Sequence, residues 1–391
     1  MILSRIRAVL ILLFTATHDI LAKMTKSCRT KLDWKLHIHK KAWYLMMLHL
    51  TVPENREPLP PKKKRKLSKI ILRCIVCLLA AAVVFTLLSP VPVSILIRAV
   101  FNKKIAVAPD GFEEIKSNVK VIKNATYPSE YKDNAADIYL PENQEGPFPV
   151  VLWIHGGAFV GGDKEDIEIY ATALAAKGFA VVCMNYRRAP EAKYPIPIAQ
   201  TNEAYLWIKD VADQYLFDTD RLVLAGDSAG AHVAAQFAVI QSNPSYAAEM
   251  EFNQSVPLHT LKAVLLFCGP FDVAKMEDGR NSIMNFFIGR AAWAYFGKKD
   301  WGKYFSGQAT IANHVTGQFP PTFITDGNKL SFEEHGRALA DVLKNNGVWV
   351  ETHFIPIDTE TTGHEYQFIM NTSAGEESFR KTVQFIQKCI E

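Results

Sequence analysis

Residues 221–237 read RLVLAGDSAGAHVAAQF. Leu222, Val223, Leu224 and Ala225 form a short apolar run, the pattern of a parallel strand buried on both faces. Residues 229–237 are Ala-rich with few breakers, the pattern of a closely packed helix. Between the two, Gly226-Asp227-Ser228-Ala229-Gly230 is a G-x-S-x-G. That spacing sets a serine on a strained strand-to-helix turn and thrusts its hydroxyl out of the sheet, while small neighbours keep the turn free of clashes. A glycine-rich turn can also hold a serine by chance. Here the strand before it and the helix after it single out Ser228 as the candidate nucleophile.

Working outward, strand and helix patterns alternate. Residues 119–127 and 136–140 read as two strands with turn formers between them, an antiparallel start. Continuous apolar strands follow at 149–154 (PVVLWI), 179–186 (FAVVCMNY), 262–267 (KAVLLF), 321–325 (PTFIT) and 349–356. Helical spacing is found at 163–177, 198–213, 332–345 and 376–389. The alternation predicts an α/β fold built on eight strands, mostly parallel, flanked by helices. Residues 271–319 interrupt it. They are too long for an ordinary crossover and carry Phe286, Phe287, Trp293, Tyr295, Phe296, Trp301, Tyr304 and Phe305. Either they add helices that pack on the sheet, or they form a helical lid whose aromatic face lines an apolar pocket.

The N-terminal part differs. Residues 1–69 carry 16 Lys and Arg against 4 Asp and Glu, whereas the remainder carries 28 against 36. The basic excess belongs to the tail, so the folded part is not a nucleic-acid binder. Residues 8–14 are apolar behind Arg5 and Arg7 but too short to span a bilayer. Met24, Met46 and Met47 leave the start of translation open, and the Pro-rich stretch 54–61 reads as a disordered linker. Residues 70–88 are apolar with Arg73 as their only charge, near the basic end where it can snorkel. At ~1.5 Å per residue they cover roughly 28 Å, about the hydrocarbon thickness, which predicts a transmembrane helix. Lys62 to Lys66 alone would read as a nuclear-localisation signal; directly before a span it follows the positive-inside rule. The expected layout is a cytoplasmic basic tail (1–69), a span (70–90), a connector (91–112) and an extracytoplasmic catalytic domain (113–391). Cleavage after the span would give a secreted form. Cys28, Cys74, Cys77, Cys183, Cys268 and Cys389 follow no framework spacing, and Cys74 and Cys77 lack a second ligand pair.

A serine needs a base within hydrogen-bond reach, and the base an orienting carboxylate. In this architecture they follow in the order Ser, Asp or Glu, His. His364, in Thr361-Thr362-Gly363-His364-Glu365, is the only histidine beyond the last strand and is the candidate base. His232, His335 and His353 lie within helices or a strand. Asp326 ends the strand at 321–325 and is the candidate acid; Glu333, Glu334 and Asp358 compete with it. The strand at 149–154 runs into His155-Gly156-Gly157-Ala158-Phe159, where glycines let the backbone approach a substrate. The N–H groups of Gly156, Gly157 and Ala229 are the expected oxyanion donors. His155 shapes that loop without taking the proton.

With H-G-G-A-F, G-D-S-A-G and a late G-H in this order, the chain resembles the α/β-hydrolase fold and, more narrowly, the hormone-sensitive-lipase-like esterase and lipase family. Asn185-Tyr186-Arg187-Arg188-Ala189-Pro190-Glu191 is similar to that family's Y-R-L-A-P-E, with Arg188 in place of leucine. The likeness covers about residues 119–389. It implies hydrolysis of a small-molecule carboxylic ester through an acyl-enzyme, with no cofactor or metal. Two positions depart from the pattern: Ala158 replaces the third glycine of H-G-G-G, and Lys329 or Leu330 stands where the family's acid is usual. Competing readings are a serine peptidase or amidase of the same fold, and a catalytically inactive ligand-binding homologue. Oligomeric state and acyl length leave no signature in the sequence.

Overall fold

The computed structural model describes residues 61–101, 106–277 and 282–391. The expectations for the run at 8–14, the alternative start methionines and the linker at 54–60 lie outside the described residues. The chain divides into two units, Met1–Leu78 and Leu79–Glu391. Of the first, the described part is the beginning of helix α1 (Pro61–Leu88). Within α1, residues Ile71–Leu88 have a mean hydropathy of 2.7 and none is buried. That helix is long and apolar enough to cross a membrane.

The second unit holds one eight-stranded sheet: β1 (Val119–Thr126), β2 (Ala135–Pro141), β3 (Phe148–Ile154), β4 (Ala180–Met184), β5 (Phe217–Asp227), β6 (Leu261–Phe267), β7 (Thr322–Asp326) and β8 (Val350–Phe354). Their order is β1-β2-β4-β3-β5-β6-β7-β8. The sheet is mixed: β2 runs antiparallel to both β1 and β4, and every other pair is parallel. The element carrying the serine thus lies centrally, between β3 and β6.

Alternation along the strands builds two cores, because successive side chains point to opposite faces. Val150, Leu152, Ile154, Leu222, Leu224, Val264 and Leu266 join one cluster. Val151, Trp153, Val223, Ala225, Ala263, Leu265 and Phe267 join the other. The first face is covered by helices that include α4 (Ile196–Asp210) and α5 (Ala229–Ser242), the second by α3 (Glu168–Ala175) and α8 (Ser373–Ile390). All fourteen residues of α5 are buried, which explains its small, breaker-free composition.

One segment differs from the sequence expectation, and another was left open by it. Residues 91–101, read as connector, form helix α2 (Val91–Phe101), whose Val93 and Ile97 are buried in the first core. Arg98 secures it by donating to the carbonyls of Val160 and Ala189 and to both carboxylate oxygens of Glu191. Residues 271–319 hold α6 (Ser282–Phe296) and α7 (Trp301–Ala309). Several of their aromatic rings pack among themselves and onto the domain. Phe296 stacks on Trp301 and Phe305, and Tyr295 stacks on Phe159 with ring centroids 3.9 Å apart. Several aromatic rings of this segment thus pack onto the domain, one of the two outcomes expected of it.

Where β3 meets α5 the backbones touch. A Cβ at Gly230 would run into the carbonyl oxygens of Ile154 and His155, so Gly230→Ala should destabilise the domain by about 1–3 kcal/mol. Gly307, with open space around it on α7, is the control, and Gly307→Ala should stabilise by about 0.5–1 kcal/mol. Denaturant unfolding of the two variants checks this; equal effects would contradict the packing described.

Candidate active site

Strand β5 ends at Asp227, and α5 begins at Ala229. Ser228 makes the turn alone, with φ 50° and ψ −118°. A non-glycine residue in that region is strained by about 1–3 kcal/mol. The turn closes because Gly226 has no side chain: a Cβ there would strike the backbone of Gly230. The Ser228 N–H donates to Phe267 O at 2.7 Å, tying the turn to the end of β6.

The loop after β8 brings His364 to the serine, Nε2 standing 2.9 Å from Ser228 Oγ. The structure also brings Asp326 near, but not into direct contact as a simple triad requires. His364 Nδ1 lies 2.7 Å from Ser331 Oγ, and the Ser331 hydroxyl donates to Asp326 Oδ1. The polarity runs one way: with Nδ1–H donating to Ser331, Nε2 is left to accept the proton of Ser228. Asp326 is buried and also accepts from the N–H groups of Gly327 and Phe332. Burial pushes its carboxyl up to about 7, opposed by those hydrogen bonds. The competing acids are placed elsewhere: Glu333 is paired with Arg337, and Glu334 and Asp358 are exposed.

The loop after β3 differs from expectation at one donor. Gly156 N–H is already committed to Asp227 Oδ2 at 2.8 Å, so it cannot point at an oxyanion. Gly157, Ala158 and Phe159 follow with φ of 106°, 53° and 63°. This run of positive φ gives the loop a left-handed backbone. Gly157 and Ala229 remain candidates for the oxyanion role, and Ala158, whose methyl group hides a glycine-like backbone, joins them as a candidate. His155 lies inside the loop. It is buried, stacks on Tyr186, and its Nδ1–H donates to Gly156 O at 2.7 Å. Burial lowers its pKa to about 4.

Ser228, Ala229 and His364 open into a cavity of about 130 Å³ walled by Phe159, Met284, Ile288, Ala291, Leu330 and Phe332. Helix α6 thus supplies aliphatic side chains to the pocket. A polar recess of about 410 Å³ adjoins it across Leu330 and Phe332 and contains neither Ser228 nor His364. Cys268, Asp326 and His364 place possible metal donors within 4.8 Å of one another. Burial pushes the Cys268 thiol well up, however, which keeps it protonated and a poor ligand.

The profile of the BD-FAE family matches residues 136–332, half of the chain. The chain belongs to the BD-FAE family. The match takes in the serine element, the glycine loop at 155–159, Asp326 and Ser331. Curated relatives include a probable isoprenylcysteine alpha-carbonyl methylesterase of Arabidopsis thaliana, 34% identical over 102 residues, 26% of this chain and 21% of that protein. The probable carboxylic ester hydrolase LipM of Mycobacterium tuberculosis is 25% identical over 202 residues, 51% of this chain and 46% of its own. The matched stretches span less than half of both relatives. Among solved structures, esterase B of Lactobacillus rhamnosis superposes with a TM-score of 0.63 at 22% identity, covering 73% of this chain and 89% of that one. A bacterial heroin esterase gives 0.58 at 24%, covering 71% and 86%. This BD-FAE member therefore has the α/β-hydrolase fold that its three motifs resemble.

The buried acid has a measurable signature. In the folded chain Asp326 holds its proton up to about 7, against about 3.9 when unfolded. Between these values the folded state binds more protons, so this group's contribution to stability falls as pH rises from about 4 to 7. The stability of Asp326→Asn relative to wild type should therefore rise across that window and level off above it. Urea midpoints measured at several pH values test this, and a flat difference would contradict it.

Proposed function

We propose that the chain is a membrane-anchored serine hydrolase of carboxylic esters. The observation that carries this reading is the 2.9 Å approach of His364 Nε2 to Ser228 Oγ on a strained turn. Ser228 Oγ attacks the ester carbonyl as its proton passes to His364 Nε2. The oxyanion that forms is held by the N–H groups of Gly157, Ala158 and Ala229, a type of stabilisation worth about 10²–10³ in kcat per donor. The intermediate collapses, His364 protonates the departing alcohol, and an acyl-Ser228 remains. Water, deprotonated by His364, then releases the acid. Asp326 orients His364 and steadies its positive charge through Ser331.

The cavity, at about 130 Å³, is comparable to a cavity of ~150 Å³ that accommodates benzene. It suits a short aliphatic or single aryl acyl group. Anchoring is supported by α1 and by α2, which begins three residues after α1 ends. Ile95 and Leu96 on α2 are exposed although the opposite face is buried. A helix apolar on both faces belongs in a core or against lipid. Under this reading residues 1–69 are cytoplasmic and the catalytic domain lies outside.

Detergent-solubilised full-length protein should react with a fluorophosphonate and hydrolyse nitrophenyl butyrate at least about tenfold better than the palmitate, by kcat/KM, since the pocket holds few methylenes. Both activities should vanish in Ser228→Ala. Asp326→Asn should lower kcat by on the order of 10⁴ if it sets the histidine tautomer. Ser331→Ala, which breaks the relay but leaves the charge, should cost less. Wild-type protein inert to both reagents would favour the ligand-binding reading. Extraction from membranes by carbonate alone would remove the anchor.

A further inference from the structure

Two acidic side chains that the proposed reaction does not use are buried beside it. Asp227 precedes Ser228, and Glu365 follows His364; they are 3% and 8% exposed. Each carboxyl bears directly on the other's pKa. Both also close on Gly156, where a Cβ would strike Asp227 Oδ2 and stand 3.1 Å from Glu365 Oε1. Asp227 already accepts at both oxygens, from the Trp153 indole N–H at 2.8 Å and from Gly156 N–H at 2.8 Å. An ionised carboxyl is an acceptor at every lone pair, so the proton of the pair belongs to Glu365.

The surroundings agree. The charged groups acting on the pair include Asp166, and Asp326 acts on Glu365. Cys268, buried and protonated, accepts the Glu365 N–H at 3.3 Å, and His155 is neutral on the adjoining loop. Two ionised carboxyls cannot share such a place, and one is forced to stay neutral. Burial accordingly pushes Glu365 well above the ordinary carboxyl range and Asp227 up to about 7.

We infer that Glu365 is a positioning residue held as a neutral acid, and that its one proton, donated to Asp227, clasps the oxyanion loop, the serine turn and the histidine loop together. Asp227 grips the first through Gly156 and is bonded directly to Ser228. Glu365 is bonded directly to His364 and sits with its backbone at φ 61°, a left-handed conformation. Neutrality matters for the base as well. Glu365 Oε1 lies 3.7 Å from His364 Nε2. An ionised Glu365 there would favour a proton on Nε2 and so oppose the tautomer in which Nε2 accepts from Ser228. The clasp rests on the serine-hydrolase reading for its effect on rate, but not for its protonation state.

The test uses full-length protein with Glu365→Gln, which keeps an N–H donor but cannot ionise, and Glu365→Ala, which keeps neither. Infrared difference spectra at neutral pH should show a protonated-carboxyl band in wild type that is missing in Glu365→Gln. The rate of Ser228 phosphonylation should fall at alkaline pH in wild type. In Glu365→Gln that fall should be absent, with a neutral-pH rate within about threefold of wild type, the scale of one exchanged hydrogen bond. Glu365→Ala should react about 100-fold more slowly, as for a lost oxyanion donor; if it does not fold, the glutamine variant decides alone. An unchanged acid band in Glu365→Gln, or the same alkaline fall as in wild type, overturns the clasp. Wild-type protein that shows the band yet never reacts would instead fail the serine-hydrolase reading and leave the clasp standing.

Discussion

The geometry of the site depends on one strained residue. Ser228 adopts a left-handed backbone that serine avoids, and it is held there from every side. Gly226 and Gly230 let strand, turn and helix close on one another, and the N–H of Ser228 is bonded to the end of β6. The central position of β5 makes this possible, since only an interior strand has neighbours on both edges to enforce the strain. The open N-terminus of α5 beneath the serine adds a partial positive charge where negative charge would develop.

Around that turn, buried polar groups are organised in chains rather than pairs. His364 reaches Asp326 through a serine hydroxyl, and Trp153 and Gly156 meet on the carboxylate of Asp227. Such chains make each group dependent on the next, because an unpaired buried donor or acceptor is costly. The same dependence explains why Gly156, which looks like an oxyanion donor, is structural. Its N–H is held by the carboxylate of Asp227, next to Ser228.

Much of this was legible in the sequence where the signal was periodic or local. The eight strands, the serine turn and the position of His364 follow from apolar runs and from one short motif. The antiparallel start was legible too, although the share of antiparallel pairing follows from β2 lying between β1 and β4. What stayed hidden depends on contacts remote in sequence. Leu330 stands where an acid is usual, and nothing local reveals that Ser331 bridges the gap to Asp326. Ala158 gives no sign of a positive φ. Arg98 reads as a connector residue until its guanidinium meets the carbonyls of Val160 and Ala189. The aromatic residues of 271–319 left two readings open; Tyr295, Phe296 and Trp301 are packed inside, while Phe286 and Tyr304 stay exposed.

The most direct test of the account is a crystal structure of the protein after reaction with a small alkyl phosphonate. The account predicts phosphorus bonded to Ser228 Oγ, with the phosphonyl oxygen about 2.7–3.1 Å from the N–H groups of Gly157, Ala158 and Ala229, and the Gly156 N–H still on Asp227. A phosphonyl oxygen turned toward Gly156, or an adduct on any other residue, would contradict it.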